Sequence, residues 1–285
     1  MRVDAHHHFW DPAKYDYPWM EGSALDPIRR AFGPVDLEGE LARAGIDGSV
    51  LVQTVSSESE TLEFLRVAEA TVFVLGVVGW VDLTAADVGE RLDALLAETG
   101  GRWLVGIRHQ VHDEEDARWL CRKDVRRGLR AVQTRGLTYD LLVRAREIPA
   151  AIETVNAMPN LPFVVDHIAK PTILEGSDPA WSVGMAQLSA SPHVSLKVSG
   201  LVTEADWNHW TVAELRPFVA KVREWFGTER LMFGSDWPVC LLAANGYSEV
   251  LDAARDSLGE LSDGEAQAVF GANAQAFYGL SSEGR

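Results

Sequence analysis

The chain is short of cysteine, of cationic residues and of long apolar runs, and each shortage narrows what it can be. Two cysteines, Cys121 and Cys240, among 285 residues build no disulfide framework and suit a reducing compartment, so the expected location is the cytoplasm. Lysine and arginine number 26 against 42 aspartates and glutamates, a formal charge of −16. That balance argues against nucleic acid or an anionic membrane surface as partner. It leaves a small molecule, neutral or drawn in by a local cationic pocket. No apolar run reaches the roughly 18 residues of a membrane span, and the charged, histidine-rich start does not read as a signal peptide. No internal repeat or low-complexity stretch stands out.

What the chain has is tryptophan, ten of them, and short β-prone runs separated by segments of helical spacing. The runs are 3–8, 49–55, 72–81, 104–110, 136–142, 163–167, 194–199 and 231–235. They are nearly continuous in apolar residues, as strands buried on both faces are. Between them the spacing predicts helices over 37–44, with Asp36 as N-cap and Gly45 as the stop, then 58–70, 86–98, 116–134, 149–158, 180–190 and 212–226. A last helical region over 262–278 completes the alternation. Strand and helix alternating eight times predict a single α/β domain over 1–285, a (β/α)8 barrel. Residues 9–35 form one long irregular connection rich in Pro, Tyr and Trp. It follows the first strand, so it is expected to lie over the carboxyl face as a lid or wall.

Polar residues recur where the strands end. His6 and His8 are two apart and share a face, with His7 on the other. Gln53 is near the end of the second strand. Arg108 and His109 close the fourth and face opposite sides, with Arg108 favoured inward. Tyr139 and Asp140 lie in the fifth, His167 ends the sixth, Lys197 and Ser199 the seventh, and Asp236 the eighth. Charges buried in one barrel mouth are costly unless paired, so chance is a poor explanation for their collection there. Lys197 is read as neutralising a substrate oxygen or, alternatively, as pairing with a carboxylate. His112, His193 and His209 are read as solvated, and Cys240 as a small buried hydrophobe.

The stretches D-A-H-H-H-F-W-D, G-W-V-D-L, G-I-R-H, L-T-Y-D-L-L-V, D-H-I-A-K-P, L-K-V-S-G and G-S-D-W-P, taken in order, resemble the amidohydrolase superfamily. The nearest branch is the amidohydrolase-2 group of sugar lactonases: L-fuconolactonases, L-rhamnonolactonases and 2-pyrone-4,6-dicarboxylate lactonase. The resemblance implies a distorted (β/α)8 barrel and a hydrolase that opens a sugar-derived lactone. Its strand-one H-x-H falls on His6 and His8, its strand-eight aspartate on Asp236 and its later histidine on His167. It implies Asp236 as the base that activates water, with His6, His8 and His167 polarising the carbonyl directly or through a single Zn²⁺ held with Asp236. A second metal is not expected, since no bridging lysine ends the fourth strand, and metal-free catalysis stays open. Arg108, Lys197 and Tyr139 would hold the lactone, and Trp10, Tyr17, Trp19 and Trp237 offer flat faces to its ring. The alternatives are a 2-pyrone-dicarboxylate-type lactonase and a metal-dependent decarboxylase. The expected partner is a small-molecule lactone; the oligomeric state is left open.

Overall fold

In the computed structural model, which describes residues 1–281, eight parallel strands pair in chain order. They are β1 Val3–His7, β2 Gly48–Val52, β3 Val74–Gly79, β4 Leu104–His109, β5 Thr138–Leu141, β6 Phe163–Val165, β7 Val194–Val198 and β8 Leu231–Phe233. The cylinder closes just past the strands. Asp236 N–H donates to His6 O at 2.8 Å and His8 N–H to Trp237 O at 2.7 Å. The first and last strands therefore meet along one seam. This is a (β/α)8 barrel.

One helix follows each strand: α1 Pro34–Ala44, α2 Glu58–Ala70, α3 Val88–Ala97, α4 Lys123–Thr134, α5 Ile148–Ala157, α6 Pro179–Leu188, α7 Val212–Phe226 and α8 Tyr247–Leu258. Three of these differ from the spacing by more than two residues at one end or are absent from it. α1 begins earlier, because Pro34 suits a first turn and the Asp36 carboxylate accepts the Gly33 N–H at 3.0 Å. Asp36 thus caps from inside the helix. α4 begins at Lys123, not near 116: Leu120 and Val125 are five apart, off the helical period, and Trp119–Cys121 forms a separate turn. α8 is absent from the sequence reading altogether, although Tyr247, Val250, Leu251, Ala254 and Leu258 bury one helical stripe.

The region expected as the eighth barrel helix does something else. It forms α9 Asp263–Gln267, a π-turn Ala268–Ala272 and α10 Asn273–Tyr278, and it stoppers the barrel floor. Ala274, Tyr278 and Leu280 join Val3, Val50, Val78, Val105, Val164 and Met232 in one apolar cluster. Gly271 packs against the start of the chain so closely that a Cβ there would meet Met1 O at 2.2 Å. The carboxyl end remains as the mouth.

Residues 9–35 are pinned at their base by an antiparallel bridge between Trp10 and Phe32. They carry two short 3-10 turns, Pro18–Met20 and Ser23–Ile28. Among the described residues no helix is long and apolar enough to cross a membrane.

Candidate active site

The seam puts the chain's two ends side by side. Asp4, fully buried, accepts four hydrogen bonds: His6 N–H at 3.0 Å, Ser235 N–H at 2.9 Å, Ser235 Oγ–H at 2.6 Å and Tyr247 Oη–H at 2.9 Å. It staples β1 to the end of β8 and to α8. A register shift between Asp4 and His7 then lets His6 turn inward, while His7 faces out to Ser49 Oγ at 2.9 Å. Past the seam Asp236 takes a left-handed φ of 56°. Its carboxylate lies 3.3 Å from His8 Nε2 and 3.8 Å from the Nε2 atoms of His6 and His167. The four residues expected as one group are one group.

Below them the interior is charged. Lys197 Nζ, completely buried, donates to Asp140 Oδ2 at 2.6 Å and lies 3.0 Å from Asp166 Oδ1 and 3.2 Å from His6 Nδ1. Arg108 does face inward. Its guanidinium donates to Gln53 Oε1 and Asp166 Oδ2, each at 3.0 Å, and to Gln53 O, and reaches His6 Nε2 at 3.2 Å. Two cations thus balance two carboxylates, the condition under which buried charge is tolerated. Tyr278 Oη–H donates to Asp140 Oδ2 at 2.8 Å, tying α10 into the same layer. Asp140 and Asp166 were not singled out as site residues from the sequence.

The electrostatics follow from burial. It lowers His8, and lowers His6 and His167 well below the usual imidazole value, so all three are neutral near pH 7. Burial pushes Asp236 the other way, but His167 and His8, as they take up protons in acid, together with Lys170 outweigh it and hold its carboxyl below the ordinary value. An ionised carboxylate surrounded by neutral imidazoles results.

A cavity of about 140 Å³ opens above this group. His8, His167, Asp236 and Arg108 reach it from below, and Trp19, Gln110, His112, Asp113 and Lys170 from the rim. His167 arrives by an unusual route. His167, Ile168, Ala169 and Lys170 have φ of 53°, 45°, 61° and 49°, a left-handed turn without glycine. This breaks strand alternation, so the adjacent Asp166 and His167 both serve the interior, and His167 Nδ1 meets Ser199 Oγ at 2.9 Å.

Several expected contacts fall elsewhere. Tyr139 points away from the cavity: β5 pairs with β4 so that Asp140 sits beside Arg108 and Tyr139 beside Ile107, and the Tyr139 ring packs on Phe163. Lys197 is too deep to touch a ligand and pairs with carboxylates, the alternative left open above. Trp10 donates to Ile28 O at 3.1 Å and packs on Phe32, as does Trp237; with Tyr17 all three are buried packing of the long connection. Of the loop aromatics Trp19 lines the cavity, anchored through Nε1–H to Thr54 O at 3.0 Å. His112, read as solvated, is a wall residue whose side chain is 17% exposed.

The group suits a divalent metal. Val52 O, 2.8 Å from His8 Nδ1, can only accept, so that nitrogen carries the proton and His8 Nε2 turns a lone pair toward the Asp236 carboxylate. Two acceptors face each other where a cation fits. Backbone orientation of a ligand imidazole is the usual supporting contact, and three imidazoles with one carboxylate form a zinc-type donor set. Donor atoms of His6, His167 and Asp236 lie within 4.8 Å of one another, although Arg108 competes for His6 Nε2.

With this geometry in view, comparisons with known proteins are consistent among themselves. The sequence pattern of the amidohydrolase family matches residues 3–280. An L-fucono-1,5-lactonase of Burkholderia ambifaria is 40% identical over 281 residues, 98% of this chain and 95% of that protein. Another, of Burkholderia multivorans, is 36% identical over 291 residues, 98% and 96% of the two. A crystal structure of a Burkholderia multivorans amidohydrolase with bound zinc is 34% identical, with a TM-score of 0.92 over 99% of this chain and all of that one.

Proposed function

The chain belongs to the amidohydrolase family, and from that membership we propose that it is a lactonase that opens an aldonolactone, with L-fucono-1,5-lactone as the leading substrate. The observation that carries the reading is Asp236: a buried carboxylate, held ionised, at the floor of a cavity sized for one small ring. Two full-length relatives bearing that activity support the substrate class.

Asp236 takes a proton from a water lying over it as the water oxygen bonds to the lactone carbonyl carbon. His8 and His167 flank the carboxylate and fix the water's direction of approach. When the tetrahedral adduct collapses, the bond from the carbonyl carbon to the ring oxygen breaks. Asp236 returns its proton to that oxygen, leaving an open-chain hydroxy acid that ionises to the aldonate. A divalent ion, when held by His6, His8, His167 and Asp236, would add Lewis acidity at the carbonyl. Trp19, from residues 9–35, forms the face against which the ring lies.

A dicarboxylated pyrone is a poorer substrate for this cavity. Recognition of two carboxylates calls for free guanidinium forks. Among the described residues lining the cavity the one guanidinium is Arg108, with its N–H groups committed to Gln53, Asp166 and His6. A panel of L-fucono- and L-rhamnono-lactones and 2-pyrone-4,6-dicarboxylate, followed by proton release before and after chelation, tests the proposal. Efficient turnover of an aldonolactone, with kcat/KM above about 10⁴ M⁻¹s⁻¹, is expected. Preference for the pyrone, or release of CO₂ from an aromatic acid, would overturn it. The chelated sample reports whether the metal is needed.

A further inference from the structure

The proposed reaction develops negative charge on the carbonyl oxygen and ends with a carboxylate, yet the buried layer offers neither a free cation. Arg108 is committed to its partners, and Lys197 lies beneath His6 with Asp140 and Asp166. Among the described cations lining the cavity, that leaves Lys170.

Lys170 is delivered there by the left-handed turn. Four consecutive non-glycine residues in that region are rare, because each brings Cβ against a carbonyl oxygen. The surroundings hold the turn in place. Trp181 Nε1–H donates to Ile168 O at 2.6 Å, and Lys170 N–H to His167 O at 2.7 Å. The His167 ring also fills the space over Gly200, where a Cβ would come within 2.7 Å of it. Residues three apart in such a tight turn align, so His167 and Lys170 face the cavity together. Strain this firmly maintained beside reacting groups points to a use.

The charges around Lys170 suit that use. Its ammonium, whose side chain is 15% exposed, pairs with Glu204, and an ammonium has three N–H donors. Glu204 is also bound by Arg144 at 3.0 Å, so one carboxylate is shared between two cations. Asp113, across the cavity, leans on His112 at 3.3 Å.

We propose that Lys170 is the substrate-contacting cation of this pocket. Its ammonium hydrogen-bonds the lactone carbonyl oxygen, stabilises it as the carbon–oxygen bond to water forms, and then holds the product carboxylate. Glu204 keeps the side chain aimed. The proposal rests on the lactonase reading and assigns Lys170 the oxygen-neutralising role that was one of the two expected of Lys197.

The test compares Lys170→Gln and Lys170→Arg with the unmodified protein, using L-fucono-1,5-lactone as substrate and two calorimetric probes, the L-fuconate anion and its neutral alditol. In Lys170→Gln, kcat/KM should fall by about 100-fold or more, the range for losing one oxyanion donor. Fuconate affinity should drop at least about tenfold while alditol affinity stays within about twofold. Lys170→Arg should regain most of the fuconate affinity. Parallel weakening of both probes would mean a merely structural lysine, and unchanged fuconate binding would mean no contact; either overturns the proposal. If the unmodified protein opens no aldonolactone, the lactonase reading fails, and the split between the probes still decides whether Lys170 is the anion-binding cation.

Discussion

An Asp236→Asn variant is expected to fold, to bind the aldonate product, and to lose turnover by about a thousandfold or more. The amide matches the carboxylate in shape and can donate to His8 Nε2, which now offers a lone pair at 3.3 Å, so the seam has no reason to open. It cannot take a proton from water. The pH profile of the unmodified enzyme follows from the same residue. His167, His8 and Lys170 hold its carboxyl below the ordinary aspartate value despite burial. A base with a lowered pKa stays ionised as the pH falls and is lost only on passing through that lowered value. With an ordinary value near 3.9, the rate should therefore hold from neutrality down to about pH 5. Stopped-flow proton release across pH measures both. Near-native rates in Asp236→Asn, or an acid limb centred near neutrality, would remove Asp236 as the base.

The second large effect is on stability. Lys197→Met keeps most of the stem and removes the charge, leaving Asp140 and Asp166 facing each other, fully buried, with Arg108 as their remaining strong cation. Breaking a buried pair from one side costs about 3–5 kcal/mol, measured as the shift of the urea midpoint. The sign of its pH dependence is fixed. Burial already pushes Asp140 up to about 6 in the intact protein, against the pull of Lys197, and losing Lys197 raises it further. A carboxyl whose folded pKa exceeds its unfolded value is destabilising above the folded pKa and is relieved as the pH drops through it toward the unfolded value. Measured against the unmodified protein, the deficit in Lys197→Met should therefore shrink as the pH falls from the variant's raised value toward about 6. Adding Asp140→Asn should recover a large part of it at neutral pH. A loss under about 1 kcal/mol, equal at pH 5 and 8, would show that the pair carries little of the stability.

Much of this arrangement is legible in the sequence. The eight apolar runs marked the strands because parallel strands in a barrel are buried on both faces, and their polar endings marked the mouth. His6, His8, His167 and Asp236 came together as the resemblance implied. Where the reading failed, the cause was a choice that sequence period cannot make. Alternation says that Tyr139 and Asp140 face opposite sides, but the pairing of Asp140 with Arg108 in register decides which is inside. A carboxylate in the middle of an apolar strand was the signal available, since it needs a buried cation. Asp166 and His167 escape alternation because the backbone turns left-handed between them and Lys170. Trp10 and Trp237 were misjudged because large aromatics in a long connection serve equally to pack it; their rings meet Phe32, far along the chain. α8 was simply readable, and its stripe from Tyr247 to Leu258 is a regular helical one.

Single-turnover hydrolysis of L-fucono-1,5-lactone in isotopically labelled water bears on the whole reading at once. If Asp236 drives water onto the carbonyl carbon, the product gains one labelled oxygen in its carboxylate and none in the released hydroxyl. Label in the hydroxyl would mean attack at the ring carbon, and the absence of turnover by protein with and without added zinc would mean that this barrel does not open the lactone.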